Sequence, residues 1–174
     1  MYKYTICFIR KGDNILLLNR NKKPTMGMWN GVGGKIEEYE TPYEGVIRET
    51  FEETGIELPS VTYKGNVMFQ VKDEPLGSEG MYVFLTDLPD GVHIDTPVRT
   101  DEGILEWKSI DWILDGDNRG VVSNLQRYLP RVLKEENNLE HTFTYDNRNI
   151  IDYTTTLLTE DDTKKRNEKY LISQ

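Results

Sequence analysis

The sequence predicts a single mixed α/β domain, on three observations. Runs rich in β-branched and aromatic residues recur along the chain, some in pairs that read as antiparallel hairpins. Two stretches, 42–54 and 121–134, carry apolar residues at helical spacing. At 174 residues the chain is long enough for one layered core and short for two. The domain is assigned to residues 1–158, with 159–174 left as a charged tail.

Residues 2–9 (YKYTICFI) and 14–19 (NILLLN) read as strands, joined into a hairpin by the turn signal KGDN. A loop rich in glycine and basic residues, NRNKKPTMGMWNGVGG, follows. The helix at 42–54 is marked at both ends. Thr41 and Glu44 have capping-box spacing, Pro42 stands in the first turn where a missing N–H is tolerated, and Gly55 is placed to stop it. Strands are then expected at 61–71 (VTYKGNVMFQV), 81–86 (MYVFLT) and 104–107 (ILEW). Between them, KDEPLGSEG and DLPDGVHIDTPVRTDEG read as loops from their Pro, Gly and Asp content. The helix at 121–134 lines up Val121, Leu125, Tyr128, Leu129, Val132 and Leu133, with Pro130 expected to kink or restart it. Residues 141–158 (HTFTYDNRNIIDYTTTLL) read as a second hairpin around DNRN. The charged end, EDDTKKRNEKYLISQ, reads as a frayed tail.

Composition narrows the function. The net charge of −9 disfavours a nucleic-acid polymer or an anionic membrane surface as partner. It leaves room for a small phosphorylated ligand, provided cations bridge the like charges. No segment approaches the roughly 18 apolar residues of a membrane span, and the N-terminus lacks the pattern of a signal peptide. Cys7 stands alone, so no internal disulfide can form; a reducing cytoplasm fits. Two histidines and one cysteine are too few for an ordinary structural zinc site, so a metal here would be a hard ion held by oxygen.

The candidate chemistry lies in GGKIEEYETPYEGVIRETFEETGI, residues 33–56. At about 100° per residue, Val46, Ile47, Thr50, Phe51 and Thr54 fall on one side of the helix. Glu49, Glu52 and Glu53 fall together on the other, with Gly45 adding no bulk beside them. A solvated acidic face is one reading of such a run. Against it, no lysine interleaves the carboxylates, and like charges at i and i+4 repel by a few tenths of a kcal/mol. The preceding NGVGGK lets the backbone approach a ligand closely. Carboxylates beside exposed backbone suit magnesium, which takes oxygen ligands and keeps waters that a substrate phosphate can replace.

Gly34, Glu40, Arg48, Glu49, Glu52, Glu53, Gly55 and Ile56 stand at the offsets of the Nudix box, and the chain resembles the Nudix hydrolases. The one departure is Thr50, where that pattern has a larger aliphatic residue. The resemblance implies an α/β/α sandwich around a mixed β-sheet and cleavage of a nucleoside diphosphate linked to another group. It implies that Glu49, Glu52 and Glu53 are metal ligands or the water-activating base, with the Gly34 carbonyl nearby and an Arg48–Glu40 ion pair bracing the loop. The cofactor implied is Mg2+, with Mn2+ able to substitute.

The resemblance extends past the box toward the MutT-type diphosphatases of oxidised purine triphosphates. MWNGVGGKIE is similar to their loop before the box, which makes Asn30 the candidate base contact; an amide both donates and accepts. A turn residue beside Gly31 is the plainer reading of Asn30. Thr5 and Lys35 match positions lining the nucleotide site, and Trp29 reads as pocket wall or core. Glu102, in TDE before Trp107, resembles a further metal-site glutamate. Those enzymes grip the base with a tryptophan and paired aspartates; here Trp112, Asp115 and Asp117 fall in that region at a different spacing. Hydrolysis of an oxidised purine triphosphate to monophosphate and pyrophosphate is the reaction expected, with another diphosphate-linked nucleotide or a non-catalytic nucleotide sensor as alternatives.

Overall fold

A computed structural model describes residues 2–134 and 138–161, with the side chains of 75–78 left aside. Its strands are β1 (Tyr4–Lys11), β2 (Asn14–Arg20), β3 (Trp29–Asn30), β4 (Thr62–Val71), β5 (Glu74–Asp87), β6 (Val98–Arg99), β7 (Gly103–Ser109), β8 (Leu139–Asp146) and β9 (Asn149–Leu157). The helices are α1 (Pro42–Thr54), α2 (Ile110–Leu114) and α3 (Leu125–Val132). One mixed sheet runs in the order β6-β7-β2-β1-β5-β4-β8-β9, with β3 paired onto β2. The β1–β5 and β4–β8 pairings are parallel; the other strand pairs are antiparallel.

Strand β1 shows why the sheet sits between two layers. Its residues Ile6, Cys7, Phe8 and Ile9 are all buried, and alternate side chains go to opposite faces. Ile6 and Phe8 join Leu17, Val83, Ile113, Leu125, Tyr128 and Leu129 under α2 and α3. Cys7 and Ile9 join Leu16, Leu18, Val46, Tyr82 and Phe84 under α1. Strands apolar on both faces are what helices covering both faces require.

Helix α1 begins and ends at the expected residues. Thr41 and Glu44 close the capping box, and Gly55 adopts φ 72° while its N–H donates to the Phe51 carbonyl at 2.7 Å. Its faces differ from expectation. Phe51, expected inward, is 49% exposed, while Glu49 and Glu53 are partly buried. The reason is the glycine-rich segment, which covers the Gly45–Glu49–Glu53 side of the helix. A side chain at 45 would press on Glu40 and Ile36.

Two other expectations are corrected. KDEPLGSEG is not a loop: Val71 pairs with Glu74 and β5 starts at once after a Lys72–Asp73 turn, with Asp73 at φ 66°. The helix expected at 121–134 is confined to Leu125–Val132, because Val121 bridges to Trp29 as extended chain. Pro130 lies inside α3 without ending it. Helix α2 and the two-residue strands β3 and β6 have no periodicity to announce them. The stretch expected as a tail falls, from residue 162, outside the described residues. Among the described residues no helix is long and apolar enough to cross a membrane.

Candidate active site

The glycine-rich segment is stitched along β1 on the side that β2 leaves. Cys7 and Val32 exchange main-chain hydrogen bonds at 2.7 and 3.1 Å, the Thr5 N–H donates to the Gly34 carbonyl at 2.9 Å, and the Ile36 N–H donates to Lys3 at 2.9 Å. Between these, Gly33 bulges outward at φ 140°, a conformation closed to side chains. Its N–H turns toward α1 and donates to Glu53 Oε2 at 2.8 Å. A Cβ on Gly34 would collide with the Glu49 carboxylate, so both glycines are needed for helix and loop to meet. The Gly34 carbonyl is thus engaged by Thr5, whereas the Gly33 carbonyl receives no hydrogen bond among the described residues.

Arg48 holds the acidic cluster from within. Its Nε donates to Glu40 Oε1 at 2.6 Å and its Nη2 to Glu40 Oε2 at 2.9 Å, a two-pronged pairing that suits a planar guanidinium. Nη2 also reaches the Lys35 carbonyl at 3.0 Å, while Nη1 reaches Glu49 at 3.0 Å and Glu52 at 3.1 Å. The Glu40 carboxyl also accepts the Glu37 N–H at 2.9 Å. Hydrogen bonding from Arg48 lowers the Glu40 pKa below the usual range, and the guanidinium is correspondingly held charged.

Glu53 is the perturbed carboxyl. Burial pushes it up to about 7, with Glu49 and Glu102 adding repulsion, while the Gly33 N–H and Arg20 pull the other way. Burial also raises Glu49, against its contact with Arg48. Glu102 comes from the loop before β7, where Lys22 pairs with it at 2.6 Å. Glu49 and Glu102 both repel the Glu53 carboxylate, and all three offer oxygen. That donor set fits a hard divalent ion. Among the described residues no three acidic, histidine or cysteine side chains already stand close enough to cage one.

Beside Glu53 opens a cavity of about 490 Å³, the size of a small-ligand site. Of the expected residues, Thr5, Asn30, Gly34 and Glu53 line it. Asn30 fills both of its readings: its Oδ1 accepts the Gly31 N–H at 2.9 Å, and the residue still borders the cavity. Trp29 and Lys35 stand outside the lining. Trp29 packs edge-on against Trp112, with the Lys108 ammonium 4.4 Å from its ring centre, so it is wall support rather than pocket surface. Trp112, Asp115 and Asp117 likewise stay outside.

Sequence reasoning missed much of the far wall. Arg20, Lys23, Phe69, Glu79 and Met81 all line the cavity. Arg20 and Lys23 had a signal, a basic run in an acidic chain. Phe69 and Glu79 had none, because only the β4–β5 register sets them opposite each other. Among the described residues the buried Thr5 hydroxyl and Arg20 Nε have no hydrogen-bond partner, which is costly unless a ligand supplies one. From the Gly33 segment through β1 and β5 to β4 is three inter-strand steps, about 14 Å.

Comparison with known proteins agrees with this geometry. The NUDIX domain model matches residues 3–125. The Bacillus subtilis protein YvcI, named a Nudix hydrolase, is 33% identical over 147 residues, covering 83% of this chain and 87% of its own. A mouse oxidized purine nucleoside triphosphate hydrolase is 29% identical over 110 residues, 63% of this chain and 67% of its own. The crystal structure of a MutT protein from Bacillus halodurans superposes with a TM-score of 0.72 at 28% identity, covering 89% of this chain and 97% of that one. A glutamate-lined helix braced by its own arginine, set beside a nucleotide-sized cavity, is how this chain builds the box motif: it belongs to the Nudix hydrolase family.

Proposed function

We propose that the protein is a magnesium-dependent nucleoside triphosphate pyrophosphohydrolase that favours oxidised purine substrates. The observation that carries this reading is one continuous cavity lined by the perturbed carboxyl of Glu53, by Asn30 and by Phe69. Its length suits a nucleotide laid from phosphate to base. Glu49, Glu52, Glu53 and Glu102, with the Gly33–Gly34 backbone, would hold the ion, which supplies charge neutralisation on the diphosphate when bound. Glu53 is our choice for the group that takes the proton of the attacking water, since it is the one carboxyl of the helix cluster that lines the cavity. Arg20 and Lys23 supply the positive wall for the outer phosphates, and Arg48 orients Glu49 and Glu52. Asn30 and Thr5 offer hydrogen bonds beside Phe69, on which a base can stack. A cytoplasmic place of action fits an enzyme of free nucleotides.

The test is hydrolysis of a nucleotide panel with magnesium, with products identified. Release of monophosphate and pyrophosphate from 8-oxo-dGTP in preference to dGTP is expected. Equal rates on the two would remove the oxidised-purine preference. Turnover confined to dinucleoside polyphosphates or nucleotide sugars would replace the substrate class.

A further inference from the structure

We infer that Glu79 selects the base, and that the nucleobase it selects carries two adjacent N–H donors, as the guanine edge does. The inference rests on the proposed nucleotide reading of the cavity and deepens it. Glu79 lies directly across from Phe69 in the β4–β5 register, so both side chains stand on the same face of the sheet. Both line the end of the cavity away from Glu53. Among the described residues, the Glu79 carboxylate has no ion-pair or hydrogen-bond partner, whereas Asp87 at the other end of β5 is paired with Arg10. It is therefore an acceptor without a donor, beside an aromatic face suited to stacking.

The chemistry of an ionised carboxylate then restricts the base. Both oxygens accept and neither donates. Guanine presents its ring N1–H next to its exocyclic amine, so both oxygens can be satisfied at once. Adenine and cytosine place a ring nitrogen lone pair next to the amine, which repels the second oxygen. Uracil and thymine flank their single N–H with carbonyls. Hypoxanthine keeps the N1–H and lacks the amine. Oxidation at C8 leaves the N1–H and amine untouched, so Glu79 recognises guanine and 8-oxoguanine alike and separates both from hypoxanthine. Any preference between the oxidised and ordinary base then belongs to other polar groups of the cavity, such as Asn30 and the Thr5 hydroxyl, which has no partner among the described residues.

The experiment compares the wild type with Glu79→Gln, a change of charge and donor pattern at constant size on an exposed strand position. Steady-state kcat/KM is measured for dGTP, dITP and 8-oxo-dGTP with magnesium, and equilibrium binding is measured for dGMP and dIMP. The wild type is expected to favour dGTP over dITP by about tenfold, the strength of one charge-assisted hydrogen bond, with the ratio in Glu79→Gln falling toward one. The same collapse is expected in the dGMP-to-dIMP binding ratio. A ratio equal in the two proteins overturns the assignment of Glu79, as does failure of both monophosphates to bind. If no triphosphate is turned over while the binding ratio still depends on Glu79, the hydrolase reading fails and the base selection stands.

Discussion

At the scale of single residues, charge placement does most of the explaining. Glu53 is ionised only at the cost of burial, and nothing but the Gly33 N–H and Arg20 offsets it. Replacing it with glutamine should lower kcat by about 10²–10⁴-fold, the ordinary worth of a general base. The same variant has a second, independent readout. A carboxyl raised from 4.5 to about 7 on folding binds more protons in the native state, so its penalty grows as pH rises through that window. With divalent ions chelated, the wild type should lose Tm between pH 5 and 8 by an increment that Glu53→Gln lacks, measured by thermal unfolding. Much of this site was legible in the sequence, because Arg48, Glu49, Glu52 and Glu53 sit on one short helix and their spacing alone brings them together. A basic run marked Arg20, but its nearness to Glu53 was not legible, because that depends on how the sheet and α1 pack in space.

At the scale of elements, local signals and long-range pairing divide the outcome. Helix α1 was readable to the residue because both of its ends are written in nearby side chains. Thr41→Ala should remove the hydroxyl that accepts the Glu44 N–H at 3.1 Å and destabilise the fold by about 1 kcal/mol, seen as a lower urea midpoint at unchanged slope. The start of β5 was unreadable for the opposite reason. Pro, Gly and Asp suggest a loop, yet β4 supplies a ladder that overrides propensity. The same override shortened α3, where Val121 is taken by Trp29. Gly34→Ala tests the meeting of loop and helix: its Cβ would displace the Glu49 carboxylate, so activity should fall well beyond any loss of Tm.

At the scale of the whole molecule, α3, β8 and β9 close the layer away from α1 around His141. That side chain is buried, bonds through Nδ1 to the Tyr153 hydroxyl at 2.9 Å and packs against the Tyr128 ring. Burial, helped by Arg131, depresses its pKa from 6.5 to about 4. The unfolded chain therefore binds a proton that the native state refuses between those values, and stability falls as pH drops from about 6.5 toward 4. His141→Gln should flatten that limb of a Tm-against-pH curve, although it lowers Tm at neutral pH. The seam between the glycine-rich segment and β1 has a consequence of a different kind. Main-chain hydrogen bonds fix strand spacing far more tightly than side chains fix anything, so the sheet is a gauge with uneven markings at Gly33 and Phe69. If a nucleotide seats its base at one mark and its diphosphate at the other, as proposed, the span between the two is set by the backbone before any side chain reads chemistry.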